Sequence, residues 1–134
     1  MKSVLLLEDE SQVRTMLRLI LKQFSVLETG TAEEALLCFE RNRQSIGILI
    51  ADVSLPASSG VEVALSMRVQ VPELPVILTS GFPPGAWNAR DAAALRKLGI
   101  DSVIILQKPF PSRVLQGHVR EHIGFPGAEA SAAV

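Results

Sequence analysis

The chain has 134 residues, 48% hydrophobic and 20% charged, enough for one ordinary domain that buries a core without disulfides or metals. Thirteen basic and fourteen acidic residues leave a formal charge of -1 with neither sign gathered into a block, so the sequence predicts no direct nucleic-acid partner. A single Cys38 excludes an internal disulfide, and no apolar run approaches a membrane span or a signal peptide, so a cytoplasmic protein with no membrane partner is expected.

Val/Ile/Leu-rich runs at 4–7, 25–28, 46–51, 75–79 and 101–106, each bounded by polar or Gly/Pro residues, predict five strands. Helix 1 follows the first, with Val13, Met16, Leu17, Ile20, Leu21 and Phe24 on one stripe. Helix 2 is expected over 32–42, with Ala35, Leu36 and Phe39 inward and Thr31 as its cap. Helix 3 follows Gly60, with Val61, Ala64, Leu65 and the Arg68–Val69 turn before Pro72 stops it. Helix 4 emerges from the loop "GFPPGAW" at about 88–98, and helix 5 spans 112–122. Strands apolar on both faces, alternating with helices, imply a doubly wound α/β fold of (βα)5 type around a parallel sheet. One domain over 1–123 is expected, and the aperiodic tail 124–134 is expected to be disordered.

In such sheets ligands sit beyond the carboxyl ends of the strands. Glu8 and Asp9 fall just past strand 1 and Asp52 just past strand 3, so the three carboxylates converge if those strands are neighbours. Two like charges about 4 Å apart cost on the order of 4 kcal/mol at an effective dielectric near 20, so the cluster favours a hard divalent cation such as magnesium. Thr79 in "VILTSG" and Lys108 in "ILQKPF" belong to the same edge. A carboxylate nucleophile, a metal, a hydroxyl and an ammonium together suit phosphoryl transfer.

Glu8-Asp9, the spacing of Asp52, Leu55, Pro56 and Gly60, then Thr79, then Lys108-Pro109-Phe110 occur in that order. With them the chain resembles the receiver domain of two-component response regulators over about residues 2–122. The resemblance implies a flavodoxin-like sheet of order 2-1-3-4-5. It makes Asp52 the acceptor of a phosphoryl group from a histidine kinase or phosphotransfer protein, and a downstream target protein the recipient of the signal. Glu8, Asp9, Asp52 and the Ser54 carbonyl would hold Mg2+, while Thr79 and Lys108 would bind phosphoryl oxygens. A cis peptide before Pro109 is also implied. The chemistry implied by the resemblance is that of a switch with slow self-dephosphorylation rather than of a metabolic enzyme, and with about a dozen residues after helix 5 no output domain is expected in this chain. The strand 5 position where family members commonly carry an aromatic is Ile105, and the "SGFPPGAW" loop is unusually rich in Pro and Gly.

Other readings attach to the same residues. The acids after strand 1 could cap helix 1 through Asp9 or Ser11. A phosphatase with an aspartate nucleophile would place that residue after strand 1, whereas the family-like loop follows Asp52. A receiver-like protein-binding module acting without phosphorylation is the main alternative, and Ile105 favours it. His118 and His122 at i, i+4 lack a third ligand, Cys38 lacks a histidine partner, and Trp87 is expected to anchor its loop.

Overall fold

The computed structural model describes residues 2–124. Five strands, β1 (Ser3–Leu7), β2 (Val26–Thr29), β3 (Ile46–Asp52), β4 (Val76–Ser80) and β5 (Ile104–Gln107), alternate with α1 (Ser11–Ile20), α2 (Ala32–Asn42), α3 (Gly60–Gln70), α4 (Ala89–Leu98) and α5 (Ser112–Ile123). All strand pairs are parallel and the order is β2-β1-β3-β4-β5, the flavodoxin-like arrangement expected.

The two-sided apolar strands explain the layering. Leu5, Leu7, Leu49, Ala51, Val76 and Leu78 pack with Ala35, Phe39, Val61, Ala64, Met67 and Leu95, so one face of the sheet is covered by α2, α3 and α4. Their neighbours Val4, Leu6, Ile48, Ile50 and Ile77 point the other way, against Leu17 of α1 and Leu115 and Val119 of α5. The helices that follow β1 and β3, α1 and α3, thus leave toward opposite faces of the sheet, opening a crevice at the carboxyl ends of those two strands.

Helix boundaries follow their caps. Thr31 Oγ1 accepts from Glu34 N at 3.1 Å, Ser59 Oγ from Val61 N at 3.1 Å and Asn88 Oδ1 from Asp91 N at 2.8 Å, so Asn88 precedes α4 rather than opening it. Gly99 closes α4 at φ 88°, a conformation that glycine alone adopts without strain.

Three sequence expectations are corrected. Residues 101–102 belong to a 3-10 turn, Ile100–Ser102, rather than to strand 5. Arg68 draws that turn inward, donating to Ser102 Oγ at 2.7 Å and Ser102 O at 2.6 Å, while Ser102 Oγ also lies 2.6 Å from Leu98 O. Met16 and Leu36 are 52% and 37% exposed, because the apolar stripes of α1 and α2 are wider than the sheet beneath them. Val69 lies within α3 as expected, on its solvent side at 82% exposure. Phe24 is buried as expected but lies beyond the end of α1, where the chain turns toward β2. Of the 124–134 tail only Gly124 falls within the described residues.

Candidate functional site

The sheet register builds the site. Leu7 pairs with Ala51, so Glu8 emerges beside Asp52, and Asp52 in turn pairs with Thr79. Glu8 is 1% exposed, Asp52 7% and Thr79 1%, while Asp9 is half-buried. One carboxylate oxygen from each of Glu8, Asp9 and Asp52 lies within 4.8 Å of the others, the one such cluster among the described residues.

Lys108 follows β5 and reaches across the top of the sheet. Its Nζ lies 3.2 Å from Glu8 Oε1 and 3.6 Å from Asp52 Oδ2. Its backbone N–H donates to Ser80 O at 2.7 Å, which ties the lysine to the end of β4, and the Lys108–Pro109 peptide is cis as expected.

Burial pushes the Glu8 carboxyl above its ordinary range, and the charge of Asp52 adds to the effect, against a backbone bond from Glu10 and the Lys108 ammonium. Asp52 is raised for the same first reason, with Asp9 adding and Lys108 opposing. Burial also lowers Lys108, but Asp52 and Glu8 together outweigh it and hold the ammonium charged more firmly than in water. The acids are therefore under-neutralised: three carboxylates share one cation. Oxygen ligands alone, two of them nearly dry and all a few ångströms apart, fit a hard divalent cation such as magnesium.

The acids do not serve as helix caps. Glu10 occupies the N-cap of α1 without a side-chain bond, and Glu8 Oε2 instead accepts from Glu10 N at 3.2 Å, which turns the carboxylate back over the sheet. Asp52 Oδ1 accepts from Ser54 N at 3.4 Å, and a bridge between Ser54 and Ser59 closes the loop that follows. Gly60 has to be glycine for a local reason: a Cβ there would run into the Asp52 carbonyl, so only a bare backbone lets α3 start against the end of β3.

His118 faces Glu121 at 3.8 Å on its own helix, and among the described residues it belongs to no cluster of candidate metal ligands. Asn42 Nδ2 donates to the Cys38 carbonyl at 2.9 Å and lies 3.7 Å from the Cys38 thiol sulfur. Trp87 anchors its loop as expected, its indole N–H lying 3.2 Å from Ser80 Oγ and 3.1 Å from Phe82 O. Sequence reasoning passed over Arg14, whose Nη1 donates to Glu8 O at 2.7 Å, and Ser80, whose carbonyl holds Lys108. Arg14 stands six residues after Glu8 on the first turns of α1, a spacing that could have suggested it. No local signal marks Ser80.

The chain is 32% identical to the response regulator protein FleR of Pseudomonas aeruginosa, with 98% of this chain and 27% of that protein aligned. It is 28% identical to the transcriptional regulatory protein CpxR of Escherichia coli K12, with 90% and 48% aligned, so it spans less than half the length of these relatives. Among solved structures, the receiver domain of the hybrid histidine kinase CckA superposes with a TM-score of 0.70 at 28% identity, covering 89% of this chain and 96% of that one. The Vibrio cholerae chemotaxis protein CheY4 shares the fold with a TM-score of 0.75 at 21% identity, covering 92% and 99%. The family described as the response regulator receiver domain matches residues 4–120, the span that contains both the doubly wound sheet and the acid cluster at its carboxyl edge. With fold, strand-end acids and family match in agreement, the chain belongs to the response regulator receiver domains, a family of signalling modules.

Proposed function

We propose that Asp52 accepts a phosphoryl group from a phosphohistidine on a histidine kinase or phosphotransfer protein, and that the resulting aspartyl phosphate is the signal read by a downstream protein. The observation that carries this reading is the position of the Lys108 ammonium, 3.2 Å from Glu8 and 3.6 Å from Asp52 at the edge of an acid cluster. An Asp52 oxygen attacks phosphorus, the P–N bond to the imidazole breaks, and the imidazole leaves with the electron pair and takes a proton from solvent. Glu8, Asp9, Asp52 and the Ser54 carbonyl would hold magnesium, which supplies Lewis-acid neutralisation of the phosphoryl oxygens. Lys108 gives a second positive charge to those oxygens, and Thr79, in register with Asp52, gives a hydroxyl donor. Burial of Asp52 limits water at the acyl phosphate, which favours slow self-dephosphorylation.

A protein donor is supported by the surface next to Lys108. Val13, Met16 and Ile20 of α1 and Pro109 and Phe110 border an apolar groove of about 440 Å³ whose rim includes the lysine itself. A partner seated there would lie against Lys108.

Intact-protein mass after incubation with acetyl phosphate and magnesium tests the assignment. A gain of one phosphoryl group is expected, lost in Asp52→Asn and with a chelator. Uptake that survives Asp52→Asn would sink it. The second reading, a binding module that acts without phosphorylation, is favoured by the aliphatic Ile105 in β5; it requires no uptake either from acetyl phosphate or from a phosphorylated kinase.

A further inference from the structure

Ser80 ends β4, one residue beyond Thr79, and is 1% exposed. Three donors converge on it. Its carbonyl accepts from Lys108 N at 2.7 Å, and its hydroxyl oxygen accepts from Phe82 N at 3.1 Å and from Trp87 Nε1 at 3.2 Å. The residue is thus the covalent neighbour of one phosphoryl-binding group and the backbone partner of the other.

The Trp87 end of this contact belongs to a compact strap. Residues 81–88 are closed by Ala86 N to Pro83 O at 2.8 Å and Trp87 N to Pro84 O at 3.1 Å, around the 3-10 turn Pro84–Ala86. Trp87 packs its ring against the core that covers the α2–α3–α4 face, while Phe82 stands 62% exposed at the outer side. The indole N–H is divided between Ser80 Oγ and Phe82 O, so neither bond has its full strength. In β5 the half-buried side chain of Ile105 has no polar atom with which to report on the site.

We propose that the Trp87–Ser80 hydrogen bond is a latch that couples occupancy of the phosphoryl site to the Phe82 strap. The inference rests on the assignment of Thr79 and Lys108 to phosphoryl oxygens made above. A hydrogen bond to a charged phosphoryl oxygen is roughly twice as strong as one between neutral groups, so it outcompetes a shared neutral bond one residue away. Thr79 drawn toward Asp52 carries the Ser80 backbone with it, the indole keeps only Phe82 O, and the strap with its exposed phenyl ring is released. Coupling of this kind is reciprocal: breaking the latch in advance favours the occupied site.

The test uses beryllium fluoride with magnesium as a phosphoryl mimic, its binding followed by 19F NMR. Trp87→Phe keeps an aromatic ring but removes the N–H, and Ser80→Ala removes the acceptor while leaving the carbonyl for Lys108. Each is expected to tighten binding of the mimic roughly fivefold, the fold-change one net hydrogen bond is worth. The double variant should gain no more than either single, since the Trp87–Ser80 bond is the one that both remove. Trp87 is the single tryptophan of a chain without tyrosine, so its fluorescence reads the latch directly. Saturation with the mimic should shift the emission of the unmodified protein and leave that of Ser80→Ala unchanged. Unchanged affinities, additive gains, or bound mimic with unmoved emission in the unmodified protein would each overturn the latch alone. Absence of any binding to the unmodified protein, with none from acetyl phosphate, would overturn the receiver assignment and the latch with it.

Discussion

At the amino edge of the sheet Arg68 sets its guanidinium among acceptors that match it, donating to Leu74 O at 3.0 Å, Ser102 Oγ at 2.7 Å and Ser102 O at 2.6 Å. At the carboxyl edge Glu8, Asp9 and Asp52 crowd within 4.8 Å around the Lys108 ammonium, and burial raises both Glu8 and Asp52. Both regions take charge out of water, but the first surrounds one cation with oxygen, whereas the second leaves three acids with one cation. A completed set of bonds marks a structural element, and an incomplete one marks a place reserved for a ligand. The latter costs stability for as long as its charge is unbalanced.

Removing each centre should separate the two kinds of burial. Arg68→Ala should lower stability by about 2–3 kcal/mol, since three bonds from a charged donor are lost and two carbonyls are left to find water. Urea unfolding measures it as a fall in midpoint at constant slope, with magnesium making no difference. Acetyl phosphate uptake should be unchanged at temperatures where the variant is folded. A loss below about 0.5 kcal/mol would mean that the turn before β5 does not depend on this guanidinium.

Lys108→Met should cost about 1–2 kcal/mol near neutral pH, because Glu8 and Asp52 lose their shared cation. Here the two edges part company: saturating magnesium should remove most of the deficit, since a bound cation takes over the role of the ammonium in balancing the acids. A deficit that magnesium leaves intact would put the lysine in the same structural class as Arg68.

The contrast also explains what could be read before the structure was in hand. Glu8, Asp9, Asp52, Thr79 and Lys108 were legible because each follows an apolar run, and a strand that ends in a charge points that charge at the ligand edge of a parallel sheet. The order of layers followed from strands apolar on both faces. Arg68 was read only as part of an amphipathic helix, since its acceptor Ser102 is 34 residues away and nothing local announces the pairing. That same contact turned residues 101–102, which read as strand, into a 3-10 turn. Met16 and Leu36 fit the helical period, but periodicity does not say how wide a stripe the sheet covers. Ser80 was invisible for the complementary reason: its part depends on a lysine backbone from β5's end and an indole from the following loop.

Asp52→Asn should stabilise the metal-free protein by about 1 kcal/mol near neutral pH, since the amide keeps the shape and removes one of the crowded charges. With magnesium present the sign should reverse, because the unmodified protein alone gains the full binding energy of the ion. Thermal unfolding with and without the ion reads both signs, and a variant that is less stable in both conditions would contradict the account of an under-neutralised site.

The smallest effect is the pH dependence of that same difference. Glu8 and Asp52 titrate above their ordinary values of 4.5 and 3.8, so the folded chain holds their protons more tightly than the unfolded chain does. Their contribution to stability is therefore fully present below the ordinary values and is lost as pH rises through the raised ones. Lys108 is also raised, from 10.5, so its contribution disappears only in strongly alkaline solution and does not enter this window. The advantage of Asp52→Asn over the unmodified metal-free protein should accordingly shrink toward zero as pH falls through the raised range of Asp52, where the carboxyl takes up its proton and becomes as neutral as the amide. Arg68, charged throughout this range, supplies the control, because the Arg68→Ala deficit should stay flat across the same titration. An Asp52→Asn advantage that grew on acidification would mean that the native carboxylate is favoured by its surroundings, as an ion already satisfied, and would place the carboxyl edge in the same class as the amino edge.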